Sequence, residues 1–394
     1  MWRSVASNAL TAFIVVLAGL AGLVAWGQHE FTRPGPLTAA VCVRVDKGAT
    51  LASVSKALVA QGAISSGTIF RLGAEYTNRD MGLKFGNYLV TPATSMTAII
   101  DLLSKSGQST CGTDVNYQIG VNGVQMVVRT MEPATQTFTE IAKFDPSTEA
   151  APAAYNDAMK LPDVRERVTL AEGVTSWQVV DALKNVSFLT GNVAKVPDEG
   201  SLAPESYEIS KGETRTQLLD EMKTRQAEAL AKAWAARAQG LPYKTPDEAL
   251  VMASLVEKET GVASERPLVA SVFLNRLAQG VKLQTDPAVI YGITKGQGVL
   301  GRGLRQSELR ARTPYNTYVI DGLPPTPIAN PGTASIEAAL HPADTKYLYF
   351  VADGTGGHAF AETLAEHNKN VAKWRAIQAT QPDAGAVGQS GAQP

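Results

Sequence analysis

Hydrophobic positions change their spacing several times along the chain, and each change marks an element. From Ala9 to Trp26 they are nearly continuous, an 18-residue run inside a stretch with no charge between Arg3 and Glu30. That length is near the lower limit for a helix that crosses a bilayer. Trp2 and Trp26 flank it, where interfacial aromatics are found. Arg3 and the free amino group favour a cytoplasmic N-terminus, with the rest of the chain outside. A cleaved signal peptide would have a shorter apolar region and a small-residue site directly after Trp26, so a retained anchor is favoured. The expectation is a transmembrane anchor over 1–27 and a Pro-containing linker over 28–40.

A repeated pattern follows. Gly48-Ala49-Thr50 leads to Val54, Ala57 and Leu58, and Gly173-Val174-Thr175 leads to Val179, Ala182 and Leu183 with the same spacing. Weaker copies begin at Pro92-Ala93-Thr94 and Gly212-Glu213-Thr214. Each has a turn residue, a Thr able to cap a helix, and apolar positions four and eight residues beyond it. Apolar or β-branched stretches precede them at 43–45, 88–91, 168–170 and 207–209, so the unit reads as strand, tight turn, short helix. Such modules bind extended glycans or serve as plain scaffold. Between the copies, Val115–Ile119 and Val124–Met131 alternate like a hairpin around Gly120–Gly123, and Asp145–Ala154 reads as a loop.

From Thr214 the period becomes helical. A charged helix runs to about Gln239 and stops at Gly240. The next begins at Thr245-Pro246-Asp247-Glu248, a cap, a first-position proline and a capping-box glutamate. It continues through Ala249, Leu250, Met252, Ala253, Leu255 and Val256 to Glu257-Lys258-Glu259-Thr260. At about 100° per residue, Glu257 and Glu259 point roughly 200° apart. Glu259 shares the stripe of Met252, Leu255 and Val256, while Glu257 lies nearer Ala253 and Ser254. A carboxyl on an apolar face loses solvation, which raises its pKa and suits a general acid. The same spacing also fits an ordinary helix end with solvated or salt-bridged glutamates. A third helix is expected from Ser264 to Gly280, a short fourth one capped by Thr285-Asp286-Pro287, one through Ile336 to Leu340, a strand at 347–352, and a last helix with Glu366, His367 and Trp374. The tail at 379–394 is small and polar, and disorder is expected there.

Charge and cysteines narrow the chemistry. With 36 Lys+Arg against 37 Asp+Glu and no basic run, nothing resembles a nucleic-acid footprint. Cys42 and Cys111 are the only cysteines and sit in no zinc spacing; they are either one disulfide in an exported region or two buried thiols. No carboxylate–histidine cluster accompanies His358 and His367, so no metal site and no cofactor is expected.

The segment from Val251 to Trp374 closely resembles the endolytic murein transglycosylase family, the YceG-like proteins. The strings are A-S-L-V-E-K-E-T at 253–260, V-A-S-V-F-L-N-R-L at 269–277, L-Q-T-D-P-A-V-I-Y-G at 283–292, T-P-Y-N-T-Y at 313–318, G-L-P-P-T-P-I-A-N-P-G at 322–332 and Y-L-Y-F-V-A-D-G-T-G-G-H-A-F at 347–360. The resemblance implies an α+β fold with an N-terminal transmembrane helix, a small LysM-like α+β module over 41–108 and a mixed α+β catalytic domain over 214–378. The stretch 109–165 departs from the family as an insert of uncertain role, and 166–213 joins the domains. Where the family has a Phe-Pro-Asp-Thr-Tyr type string, this chain has Leu202-Ala203-Pro204-Glu205-Ser206-Tyr207. The resemblance makes Glu259, the second Glu of E-K-E, the catalytic acid. Gln284, Thr285, Asp286, Tyr315, Asn316, Asn330 and His358 become candidates for substrate contact. Thr285 and Asp286 also read as helix caps, Asn330 as a turn residue and His358 as a turn histidine. The implied function is endolytic cleavage of the MurNAc-β-1,4-GlcNAc bond of nascent peptidoglycan strands, ending strand elongation with 1,6-anhydro ends. The implied partners are glycan strands, a membrane holding residues 9–26, and peptidoglycan synthases; the implied place is the inner (plasma) membrane, single-pass, with the catalytic domain on the periplasmic side. A lysozyme-like hydrolase using the same Glu and a non-catalytic tethered scaffold are the alternatives.

Overall fold

The computed structural model describes residues 2–46, 48–79, 82–105, 111–161 and 164–380. The expected tail at 379–394 therefore lies almost wholly outside the described residues. The apolar run forms one helix, α1 (Trp2–Thr32), whose segment Leu10–Thr32 is long and apolar enough to cross a membrane. Leu10, Phe13, Ile14, Val15 and Leu17 are all exposed on it. The helix continues into the first residues of the expected linker because a tertiary contact holds its end. Phe31 is buried against Gly73, where a Cβ would come within 2.4 Å of its ring, and Thr97 Oγ1 donates to the Phe31 carbonyl at 3.1 Å.

Beyond it come β1 (Val41–Val45), α2 (Leu51–Ala60), α3 (Gly67–Tyr76), β2 (Gly86–Val90) and α4 (Met96–Lys105). β1 and β2 pair antiparallel, with Val41 opposite Val90 and Val45 opposite Gly86, and the two intervening helices complete a βααβ module. Val43, Val54, Leu58, Phe70, Tyr88 and Ile99 form its core. Cys42 and Cys111 are joined in a disulfide, with Cα atoms 6.0 Å apart.

The strands β3 (Thr113–Gly120), β4 (Gly123–Glu132), β5 (Thr137–Phe144), β6 (Arg165–Leu170) and β7 (Ser206–Ile209) form a sheet of order β5-β4-β3-β6-β7; α5 (Ala153–Ala158) and α6 (Ser176–Leu183) lie between them in sequence. The hairpin β3–β4 matches the alternation in the sequence. β5 was not expected: its residues are almost all exposed, so no apolar face announces it, and it is an edge strand. Two compact units divide the chain, one of residues 1–115, 127–143 and 151–165, the other of 116–126, 144–150 and 166–394.

The repeated turn has a physical basis. Gly48, Gly173 and Gly212 adopt φ of 78°, 77° and 85°, a region that disfavours any side chain. Thr50, Thr175 and Thr214 then cap α2, α6 and α7 (Arg215–Ala235), each in a reciprocal box with the residue three positions on. Such a cap contributes about 1 kcal/mol. In the copy at 92–94 the cap moves by one residue: Ser95 Oγ, not Thr94, takes the Ala98 N–H.

The second unit continues with α8 (Pro246–Glu259), a 3₁₀ turn (Ala263–Glu265), α9 (Arg266–Ala278), α10 (Asp286–Thr294), α11 (Gln306–Arg310), α12 (Thr333–Leu340), β8 (Tyr349–Ala352), β9 (His358–Ala361) and α13 (Leu364–Thr380). β8 and β9 pair antiparallel, placing Ala352 opposite His358. α8 packs against α7, α9, α10 and α12, and Ala249 to Val256 are all buried. A helix buried on every side is the centre of its domain. Thr245 caps it as expected, accepting from Glu248 N at 3.2 Å, but the box is not reciprocal: Glu248 reaches past the cap to the Lys244 N–H.

Candidate active site

Glu259 is the last residue of α8 and is 6% exposed. Two carboxylates so close in sequence meet different surroundings because the helix turns them apart. Glu257 Oε2 accepts the Gly332 N–H at 3.0 Å, at the N-terminus of α12, where the helix dipole favours a negative charge. Around it stand Glu172, which is ion-paired to Arg266, and Lys258, whose Nζ donates to the Gly173 carbonyl at 3.3 Å. Burial raises the Glu172 carboxyl, and the Glu257 charge adds to this. Burial lowers the Lys258 ammonium, while Glu257 and Glu199 oppose that shift.

On the Glu259 side stand Arg276, Tyr318 and Asp286. Arg276 on α9 is only 1% exposed and donates to four neutral acceptors: the carbonyls of Leu348, Lys282 and Leu283, and Gln284 Oε1. Burial depresses its pKa, opposed by Tyr349, Tyr318 and the charge of Glu259. Tyr318 donates to Asp286 Oδ1 at 2.6 Å, and burial raises its pKa, with the charges of Asp286 and Glu259 adding to that. Burial likewise raises the Asp286 carboxyl, against the Tyr318 hydrogen bond. Glu259 therefore shares its field with Arg276 and with a phenol held by Asp286, and its carboxyl is largely withdrawn from water.

The other sequence candidates fall into three groups. Gln284, Thr285 and Asp286 border this side. Gln284 sits at φ 53°, pinned by its backbone N–H to the Thr317 carbonyl and by Arg276. Thr285 is 2% exposed and exchanges two hydrogen bonds with Thr317 through its backbone, while its own Oγ1 meets no partner and does not cap α10. His358 reaches the end of α8 through Glu265: His358 N and Nδ1 both lie 2.7 Å from Glu265, which also accepts from Thr260 Oγ1 at 3.1 Å. Tyr315 belongs to another cluster. Its ring packs on Tyr291 with centroids 5.1 Å apart, Lys295 lies over it, and Tyr291 OH donates to Glu199, whose carboxyl is raised by burial.

Asn316 and Asn330 are fully buried and bonded as structural residues. Asn316 Nδ2 donates to the carbonyls of Glu308, Leu309 and Ala311, and its Oδ1 accepts from Tyr318 N. Asn330 ties Val174, Ser176 and Leu202 together. An amide so committed offers nothing to a sugar, and the expectation of substrate contact does not suit either residue. Tyr318, Thr317 and Glu265 are site neighbours missed from the sequence, where Asn275 and Arg276 read as able to reach either a site or water. Tyr318 and Thr317 stand inside a string already noted, but nothing in periodicity says that an arginine after Asn275 turns inward.

Comparison with known proteins gives a consistent picture. The model of the YceG-like family matches residues 43–373. A Bacillus subtilis (strain 168) protein named endolytic murein transglycosylase is 30% identical over 336 residues, covering 85% of this chain and 84% of that one. A protein of the same name from Streptococcus pneumoniae serotype 2 is 28% identical over 358 residues, and there the match spans 58% of the relative's length. Among solved structures, a putative YceG-like protein from Listeria monocytogenes aligns with a TM-score of 0.45 at 25% identity, covering 84% of this chain and 99% of that one. With the family model matching residues 43–373, most of its length, this chain belongs to the YceG-like family.

Proposed function

We propose that this protein is a membrane-anchored, endolytic lytic transglycosylase that cuts the MurNAc-β-1,4-GlcNAc bond within peptidoglycan strands and leaves 1,6-anhydro ends, terminating elongation. The observation that carries this reading is the buried Glu259 at the end of the central helix, in a chain whose curated relatives bear that enzyme's name. Neutral Glu259 protonates the leaving glycosidic oxygen as the bond to C1 breaks. The MurNAc acetamido group stabilises the positive centre. The ionised carboxylate, in the field of Arg276, then takes the proton of the C6 hydroxyl as that oxygen bonds to C1. An attacking group on the same sugar carries a large effective-molarity advantage.

A single-acid route is supported by the bonds that the neighbouring carboxylates already make. Asp286 is bonded to Tyr318, Glu265 to Thr260 and His358, and Glu257 to Gly332. Most glycoside hydrolases need a second free carboxylate. Gln284, Thr285, Asp286 and His358 are the proposed substrate contacts, with Tyr315 a sugar-stacking platform further out. The βααβ order of 41–90 supports a LysM-like glycan-binding module, and the charge-free run after Arg3 supports an inner-membrane anchor with the enzyme on the periplasmic side, where synthases would be its neighbours. Mass spectrometry of the products from polymeric peptidoglycan tests the reading. Anhydro ends are expected; reducing ends heavier by one water would make it a hydrolase, and uncut strands a binding scaffold.

A further inference from the structure

A second cluster meets the end of α8 from the opposite chain direction. Glu265, in the 3₁₀ turn after α8, is nearly buried, with 12% of its side chain exposed, and it has three partners. Oε1 takes the backbone N–H of His358; Oε2 faces His358 Nδ1 at 2.7 Å and takes the hydroxyl of Thr260, the residue after Glu259. Room for this carboxylate is left by Gly357, where a Cβ would stand 2.6 Å from Glu265 Oε1. The His358 ring is then wedged edge-on against Phe350, with centroids 5.3 Å apart. Among the described residues, no protein group bonds its Nε2.

The geometry points to Glu265 as a positioning residue that sets the polarity of His358, so that Nε2 accepts a hydrogen bond from a hydroxyl or acetamido N–H of the glycan strand beside Glu259. An ionised carboxylate only accepts hydrogen bonds, so Nδ1 must be the donor and Nε2 is left with the lone pair. The Thr260 bond fixes the same carboxylate to the C-terminal end of α8, so the histidine and the acid are held to one frame. The second half of this inference rests on the transglycosylase reading; the first half, the tautomer, does not.

The test uses the full chain labelled with ¹⁵N-histidine, in which His358 is one of 4 histidines and is assigned by its substitution. At about pH 8, above the ordinary histidine range, the ring proton is expected on Nδ1. In Glu265→Gln, the amide oxygen keeps the backbone N–H of His358 and the amide NH₂ turns to Nδ1. The proton then moves to Nε2, and kcat/KM falls about tenfold, mainly through KM, as for a lost ground-state hydrogen bond. Glu265→Asp, which restores an acceptor-only group, keeps the Nδ1 proton and recovers most of the loss.

An Nε2 proton in the wild type overturns the proposal, as does a folded Glu265→Gln with unchanged kcat/KM. Should that variant fail to fold, the wild-type tautomer and Glu265→Asp decide. A wild type that releases no anhydro products while holding the Nδ1 proton would instead remove the enzyme reading and the substrate contact with it, a result kept separate because the tautomer needs no turnover.

Discussion

The two sides of the C-terminal turn of α8 carry the same functional group in different surroundings. Glu257 lies among Glu172, Arg266, Lys258 and the start of α12, and its carboxylate closes a helix end. Glu259 is buried on the other face, where its charge acts on the Arg276 guanidinium and the hydrogen-bonded Tyr318 phenol. A carboxylate that accepts a backbone N–H at a helix start has a structural bond to keep. One withdrawn from water, with a cation near enough to steady its ionised form but busy with neutral acceptors, can change charge during a reaction. The helix supplies both acids, and the packing around each gives them different surroundings; on the proposed function, Glu257 is a brace and Glu259 the reagent.

The largest effect expected from breaking this contrast is Glu259→Gln. The variant should fold and bind strands, while release of anhydro-muropeptides falls by about 10²–10⁴, the range of a lost general acid. Undiminished release, read by mass spectrometry, removes Glu259 from the mechanism. Next comes Arg276→Met. It strands the carbonyls of Leu348, Lys282 and Leu283 and the Gln284 amide oxygen, which should cost about 3 kcal/mol of stability in denaturant titration. An unchanged midpoint would mean that water reaches those groups.

Glu257→Gln keeps an acceptor for Gly332 N, so activity should stay within a few-fold and stability within about 1 kcal/mol. A loss as deep as that of Glu259→Gln would reverse the assignment of the two faces. The smallest expected effect is at Asp286. Its carboxyl is raised by burial, so it favours the folded state below the ordinary aspartate range and loses that contribution as pH climbs through its folded value. Asp286→Asn should therefore melt higher relative to wild type at neutral pH than at about pH 4. A difference that does not vary with pH would show that Asp286 titrates normally.

Much of this was legible in the chain alone, where the physics is local. A Gly able to take positive φ, a Thr whose hydroxyl can reach an N–H three residues on, and apolar positions four and eight residues beyond it determined the starts of α2, α6 and α7. The spacing of Met252, Leu255, Val256 and Glu259 likewise determined which acid faces inward, because helical geometry turns every residue by the same angle. Tertiary structure alone decided the rest. It carried α1 past its apolar run through the docking of Phe31, made a strand of 137–144 by pairing rather than by burial, and joined Cys42 to Cys111. It also turned Arg276 and Tyr318 toward Glu259, while committing the amides of Asn316 and Asn330 to backbone. The reason is the same in each case. A hydrogen-bonding side chain reads alike in a sequence whether it meets a sugar or a carbonyl, and only the chain segment brought beside it by folding determines which partner it has.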